Sequence, residues 1–358
     1  MSIPPQIRPL RREDRDNILV LFQETFASTR TAEWWEWQFL QNPFNRPIVW
    51  VAETEEKRLV GHYSLVPVPF WRQGRAEKAG FSIHSMVHPN YQRQGILNKL
   101  AEAAEKQLTE DSIETGLTFL NENSFYLYTH KLGWKEMTGS LPVYFSVLEP
   151  YDILRRFVKI GFLAKVLALL ANPLIRLGFS GWSHPSNRSI KQVEKFDDRV
   201  DTLWSEIRKG VLFATDRNSK YLNWRFAGNP CPYALFTFES DDKRILGLAV
   251  TRAEEKFSYR IGYIADLLFH PAHPQVALEL LKHVKRFLKG QRCVMVTALV
   301  SEARLSQVIR RSGFYRLPNF LMPHQIHFCC KDRSKRNETA LLTSPAGWYL
   351  SWSDHDVV

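Results

Sequence analysis

Residues 83–100, Ile-His-Ser-Met-Val-His-Pro-Asn-Tyr-Gln-Arg-Gln-Gly-Ile-Leu-Asn-Lys-Leu, concentrate the chemistry of this sequence. An apolar strand ends at Val87 and a Pro-containing turn follows. Gln92, Arg93, Gln94 and Gly95 then open a helix with apolar Ile96, Leu97 and Leu100. Such a junction aims several backbone N–H groups, and the positive end of a helix dipole, at one point. A diphosphate suits that point. Gly95 removes the Cβ where a phosphate must approach the main chain, and the Gln92, Arg93 and Gln94 side chains add donors. Two phenols, Tyr126 and Tyr128, lie on a helix further on, and His84 lies on the strand before the loop; all three can exchange protons.

The elements that must position these groups occur twice. Trp37-Gln-Phe39-Leu-Gln-Asn42-Pro43 returns as Trp224-Arg-Phe226-Ala-Gly-Asn229-Pro230, 187 residues later. Lys57-Arg58-Leu59-Val60-Gly61 returns as Lys243-Arg244-Ile245-Leu246-Gly247 at an offset of 186, His88-Pro89 as His270-Pro271 at 182, and Gly133-Trp134 as Gly313-Phe314 at 180. An ordered series with slowly drifting spacing implies two copies of one fold. In the first, Asp14–Phe26 and Trp34–Leu40 read as helices; 48–53, 58–68 and 78–87 read as strands. A helix over 97–110, a strand over 115–120 and a helix over 124–132, stopped at Gly133, follow. An apolar strand over 143–148, entered through Pro142, is expected to complete this half. The second copy gives helices near 200–207 and 219–226, strands at 233–238, 244–251 and 261–269, a helix at 274–288, a strand at 294–299 and a helix at 302–312. After His270-Pro271 it has no glycine, so it is expected to keep the scaffold without the diphosphate loop.

The first loop resembles the acyl-coenzyme A loop of the GNAT N-acetyltransferase superfamily, whose pattern is Arg/Gln-x-x-Gly-x-Gly/Ala. Gln92 and Gly95 fit, while Leu97 stands at the final small position. The αα-βββ-αβα order of the first half also resembles the GNAT core. The likeness covers about residues 5–150, and about 199–330 through fold landmarks alone. It implies an α/β (α+β) fold of two GNAT-like domains, each a mixed central sheet flanked by helices, joined by a basic helical connector. The expected boundaries are 1–150, 151–198 and 199–358.

The resemblance further implies that strands four and five splay apart. Met86 and Val87 would then pair with the pantetheine arm, the N–H near Val87 polarising the thioester carbonyl. Gln92, Arg93, Gln94, Gly95, Ile96, Leu97 and Asn98 would hold the diphosphate. Asn121 and Asn123 resemble the family's polar contact to the arm; Asn123 equally suits an N-cap. Relatives with a base on strand four carry Glu or His on the face shared here by Phe81, Ile83 and Ser85. His84 has the opposite parity and reaches that face only through a bulge. For the general acid, the family tyrosine lies four residues before the closing glycine, which is Thr129 here; Tyr126 shares its helical face and Tyr128 is its neighbour. Some tandem relatives bring a terminal carboxylate into the first site as base. In this tail Asp354, Asp356 or the carboxylate of Val358 would fill that role, against the plainer reading of an edge strand with a solvated end.

Composition bounds the rest. The 358 residues suffice for two cores, and 44% hydrophobic residues with a mean hydropathy of −0.29 fit a globular chain. Met-Ser-Ile-Pro-Pro lacks the features of a secretory leader. The four cysteines, Cys231, Cys293, Cys329 and Cys330, form no metal or disulfide pattern, so a reducing cytoplasm is expected. His324 and His327 lack further ligands, and no metal is expected. Of the net charge of +11, six fall between Tyr151 and Lys195 without a nucleic-acid motif. The basic apolar stretch 155–178 suits either packing between domains or contact with the inner face of an anionic membrane. Trp34, Trp35 and Trp37 suit an acceptor pocket or a core. The expected activity is transfer of an acyl group, acetyl first, from acetyl-coenzyme A to a primary amine of a small molecule or peptide. The alternatives are an inactive acyl-coenzyme A binder and an aminoacyl-tRNA-dependent aminoacyl transferase.

Overall fold

The computed structural model describes residues 4–152, 189–256, 258–322 and 324–355. The stretch 155–178 lies outside them. In the first half, β1 (Gln6–Pro9) is followed by α1 (Arg15–Phe26), α2 (Ala32–Phe39), β2 (Ile48–Glu53), β3 (Leu59–Arg72), β4 (Arg75–Val87), α3 (Ile96–Glu110), β5 (Thr115–Leu120), α4 (Glu122–Tyr126), β6 (Lys135–Glu136) and β7 (Val143–Val147). The second half adds β8 (Ile190–Val193), α5 (Arg199–Ile207), β9 (Phe213–Thr215), α6 (Ser219–Leu222), β10 (Ala234–Glu239), β11 (Ile245–Lys256), β12 (Tyr259–Phe269), α7 (Pro274–Gly290), β13 (Met295–Leu299), α8 (Ala303–Arg311) and β14 (Tyr315–Arg316). Strands β15 (His327–Asp332) and β16 (Trp348–Tyr349) follow.

Two compact units result: residues 1–140, 228–231 and 324–346 form the first, and 141–227, 232–323 and 347–358 the second. The first is built on strands in the order β1-β2-β3-β4-β5-β15-β6, and the second on β14-β7-β13-β12-β11-β10-β8. Both sheets are mixed. In the first, β3 and β4 form a long hairpin whose two-residue turn, Gln73 and Gly74, has both φ angles positive (48° and 85°), the geometry that matches strand twist.

Side-chain alternation along β3 separates the two faces of this sheet. Tyr63 and Leu65 cluster with Leu100, Ala104 and Leu108 of α3. On the same face a Cβ added at Gly61 would come within 2.9 Å of Ile96 and 3.0 Å of Leu100, so only glycine lets α3 pack this close. His62 faces the other way and stands edge-on to Phe39 of α2, ring centroids 5.9 Å apart. Helix α2, capped by Thr31 on the Trp34 amide, buries Trp34, Trp35, Trp37 and Phe39. Of the aromatic cluster weighed for an acceptor pocket, Trp35 is 1% exposed and Trp37 4%.

The second half of the sequence reproduces the first in detail. Lys57 and Lys243 both turn left-handed (φ 64° and 62°) in matching hairpins. The side chains of Asn42 and Asn229 each accept from the amide two residues on, at 2.9 Å. Gly247 packs under Val276 and Leu280 of α7 as Gly61 does under α3. The rings of His88 and His270 each accept an amide two residues later, at 3.2 Å in both.

One expectation is corrected. The strand entered through Pro142 does not complete the first sheet, because Val143–Val147 pairs antiparallel with β13 of the second unit. The edge of β5 is taken instead by β15, in register from His327 against Leu120 to Asp332 against Thr115. Both strands are short, and pattern fixes which side of a strand is buried without specifying which edge it pairs with. Arg72, with no exposed surface, fastens this arrangement through Thr115, Asp332, Ser334 and Glu338.

Candidate functional site

The loop that leads into α3 is exposed from Gln92 to Gly95. Arg93 and Gly95 adopt positive φ (63° and 73°), and a Cβ built on Gly95 would meet nothing within 4 Å. The amides of Tyr91 and Gln92 bond back to the carbonyls of His88 and Pro89. Among the described residues, the amides of 93–98 have no acceptor. Gln92 ties the loop to the strand end through the Val87 carbonyl at 3.3 Å, and the Oδ1 of Asn98 is shielded from solvent without a hydrogen-bond partner. Unpaired N–H groups and a helix N-terminus therefore lie together on an exposed loop, which fits a diphosphate-bearing ligand.

Strand β4 leads to this loop. It pairs in parallel with β5 only from Ala79 to Phe81, after which the two strands part. Thr118 donates across the start of the gap to the Ser82 carbonyl at 2.9 Å. On the other edge, the register with β3 slips: Ile83 faces Ser64, yet Met86 faces His62. Two β4 residues, His84 and Ser85, thus oppose Tyr63 alone, and His84 takes φ 49°, which is a β-bulge. The strand carries the bulge that His84 required. Its ring lies edge-on to Trp34 of α2 at 4.9 Å and to Phe22 of α1 at 5.6 Å. Ser85 is turned the other way, a correction to its expected place beside Phe81 and Ile83, because the extra residue reverses parity after Ile83.

His62 anchors the bulge. Its Nδ1 lies 2.9 Å from the His84 carbonyl, and a carbonyl only accepts, so Nδ1 carries the proton. Burial pushes this imidazole down to about 4, against the raising effect of that bond.

Tyr128 sits on the opposite face, 1% exposed. Its phenol oxygen lies 2.8 Å from the Ser82 hydroxyl and 2.5 Å from that of Ser85, at the point where β4 and β5 diverge. A π-turn over Leu127–Lys131 follows α4, with Leu132 donating to the Leu127 carbonyl. The extra residue in that turn rotates the helix, so Tyr128 occupies the inward position that plain spacing gave to Thr129. Thr129 bonds the Phe125 carbonyl. Tyr126 is 61% exposed and stacks on His130, away from the gap. Asn121, rather than Asn123, caps α4, accepting the Ser124 amide at 3.0 Å; Asn123 is exposed on its first turn. Ser82 and His62 carried no sequence signal, and Ser85 was placed on the wrong face, since only the bulge and the π-turn bring these residues to the site.

The counterpart in the second unit is closed. Helix α7 starts four residues after His270, whereas α3 starts eight after His88, so the segment equivalent to Gln92–Gly95 is missing. Past the β12–β13 ladder, the chain's own tail bonds both strand ends. Tyr349 donates to the Leu267 carbonyl at 2.6 Å, and Ser301 and Leu350 bond each other. Asp354 is 5% exposed and spans Arg217 and Thr215, while Asp266 takes the other side of Arg217. Its carboxylate is thus committed to an ion pair in its own unit, which removes it as a base for the first site. Asp356 and Val358 lie outside the described residues. Among the described residues no three His, Cys, Asp or Glu side chains gather in a metal-binding arrangement, and His327 bonds Glu136 at 2.6 Å. None of their helices is long and apolar enough to cross a membrane.

Residues 6–137 match the family model described as an acetyltransferase (GNAT) domain. The chain carries a domain of the GNAT family. The splayed strands, the bulged β4 and the open loop all fall within or beside those residues. Solved structures extend the likeness over both units. N-myristoyltransferase of Saccharomyces cerevisiae, with bound myristoyl-CoA, is 12% identical with a TM-score of 0.61, over 91% of this chain and 78% of its own. A conserved protein of Enterococcus faecalis described as a probable N-acyltransferase gives 0.64 at 11%, over 93% and 73%. A GCN5-related N-acetyltransferase from Anabaena variabilis gives 0.60 at 14%, over 92% and 73%. At such identities the likeness is one of fold. No curated protein matches this chain by sequence.

Proposed function

We propose that the first unit transfers an acyl group, acetyl first among them, from acyl-coenzyme A to a primary amine. The unpaired amides of 93–98 around the open Gly95 support this reading more than any other observation. Those amides, with Gln92, Arg93, Gln94 and Asn98, hold the diphosphate, while Ile96 and Leu97 seat the helix beneath it. The free edge of β4 at Met86 and Val87 takes the pantetheine arm, and Asn121 and Asn123 border its path. The N–H near Val87 polarises the thioester carbonyl. The amine nitrogen attacks that carbon, the C–S bond breaks, and the Tyr128 phenol gives its proton to the leaving sulfur. His84, on the α1–α2 face, takes the proton lost by the amine. Tyr126, at the surface, has no part in these steps.

Calorimetry with acetyl-coenzyme A, followed by thiol release over a panel of amines, tests the reading. A series of acyl chains from acetyl to myristoyl measures acyl length. Gly95→Glu puts a side chain and a negative charge where the diphosphate lies, and coenzyme affinity should fall by about a hundredfold or more. Unchanged affinity overturns the site. Binding without thiol release for any amine would make the protein a coenzyme binder instead.

A further inference from the structure

The aromatic rings that pack on the β4 bulge also hold an arginine whose surroundings differ from those of its peers. In the first unit, the buried or half-buried arginines are Arg8, Arg15, Arg30, Arg72, Arg333 and Arg336. Five of them pair with carboxylates: Arg8 with Asp14 and Glu53, Arg15 with Asp16 and Glu36, Arg72 with Asp332 and Glu338, Arg333 with Glu105, and Arg336 with Glu77 and Glu114. Arg30 pairs with none among the described residues. Its guanidinium lies over the rings of Trp34 and Phe22, 5.2 and 5.4 Å from their centroids, and its Nε is shielded from solvent with no hydrogen-bond partner.

These are the same two rings that hold His84. Stacking on an aromatic face fixes the guanidinium plane without using its N–H donors, which stay available in the plane as a fork. A partly desolvated cation with an empty donor is unfavourable unless something arrives to pair with it. Arg30 enters from the exposed 27–31 loop between α1 and α2, so a ligand can reach it from solvent.

We infer that Arg30 binds an oxyanion on the acceptor, so that the amine acylated here carries a carboxylate or phosphate group. This rests on the proposed transferase reading. If acyl-coenzyme A is held from the α3 side, the acceptor must approach from the α1–α2 side, where His84 and Arg30 share Trp34. The fork then grips the oxyanion in a charge-assisted, two-point contact while the amine is presented to the bulge. Arg30 is a specificity residue in this arrangement, remote from the bonds that change.

Matched amines that differ only in the oxyanion test this: phenylalanine against phenethylamine, and phosphoethanolamine against ethanolamine. For each pair, kcat/KM is compared in the wild type, Arg30→Gln and Arg30→Lys, alongside calorimetric titration of the same amines into protein saturated with coenzyme A. The wild type should favour the oxyanion-bearing member of at least one pair. Arg30→Gln should lower that preference about tenfold to a hundredfold, with Arg30→Lys between the two. The preferred pair distinguishes carboxylate from phosphate. Equal preference in wild type and Arg30→Gln, by turnover and by calorimetry, overturns the inference. Failure of coenzyme A itself to bind would overturn the transferase reading instead, and thermal unfolding of each variant identifies loss of fold.

Discussion

Tyr128 reaches Ser82 and Ser85 through a hydroxyl, and that atom separates chemistry from packing. Tyr128→Phe keeps the ring against Tyr63 and Trp134, and the two serine hydroxyls are left to bond each other or water. Stability should fall by only about 1 kcal/mol, the net value of a typical hydrogen bond. If the phenol protonates the leaving thiolate, kcat should drop about a hundredfold with little change in coenzyme affinity. Stopped-flow thiol release together with calorimetry checks this, and an unaltered kcat would reduce Tyr128 to a structural role. Single residues of this kind were half legible. The sequence named Tyr128 and Tyr126 as a pair and could not choose, because choosing needs the rotation of the π-turn. It named His84 on condition of a bulge, and that condition was visible in no residue type.

The bulge in β4 is an element-scale feature with its own titration. His62 stays neutral in the folded protein down to about 4, whereas in the unfolded chain an imidazole takes its proton near 6.5. Between those values the unfolded state binds more protons, so acidification through that window should cost stability, on the order of 3 kcal/mol by its lower end. Above about pH 6.5 this contribution is fully present. His62→Asn keeps a donor for the His84 carbonyl without a titrating ring, so its stability should depend less on pH from 6.5 to 4. Urea melts across that range measure the difference, and parallel curves for the two proteins would refute it. Strand and helix positions were the most legible level. Expectations for β2 and β5 met the structure residue for residue, and those for α1, α3 and β12 within two residues, because each strand is a near-continuous buried run between turns and each helix carries a one-sided apolar face. The short strands β1, β8 and β9 escaped notice, since four residues or fewer carry too little periodicity.

At the scale of the molecule, each sheet takes its closing strand from the other half of the sequence. A fragment ending at residue 150 keeps the loop, β4, β5 and Tyr128 but lacks β15, leaving the β5 edge bare and Arg72 without Asp332 and Glu338. Losing the carboxylates of a buried arginine alone costs about 3–5 kcal/mol, a large share of a domain's stability. The fragment should therefore aggregate or show little near-ultraviolet circular dichroism, and should bind no acetyl-coenzyme A. A folded fragment that binds would show that β15 is dispensable. From its residues alone the chain determined the two-fold repeat, the order of its elements, and a first copy with a glycine-bearing, donor-rich loop that the second lacks. Those properties are written in local patterns: glycine where a backbone must turn, donors before a helix, apolar periods along each element. Tertiary structure decided which strand closes each sheet, which tyrosine turns inward, which way His84 points, and that Asp354 is spent inside its own unit. Each of these depends on pairing between residues far apart in sequence, where one inserted residue in a strand or helix reverses a side chain and no local pattern records the partner.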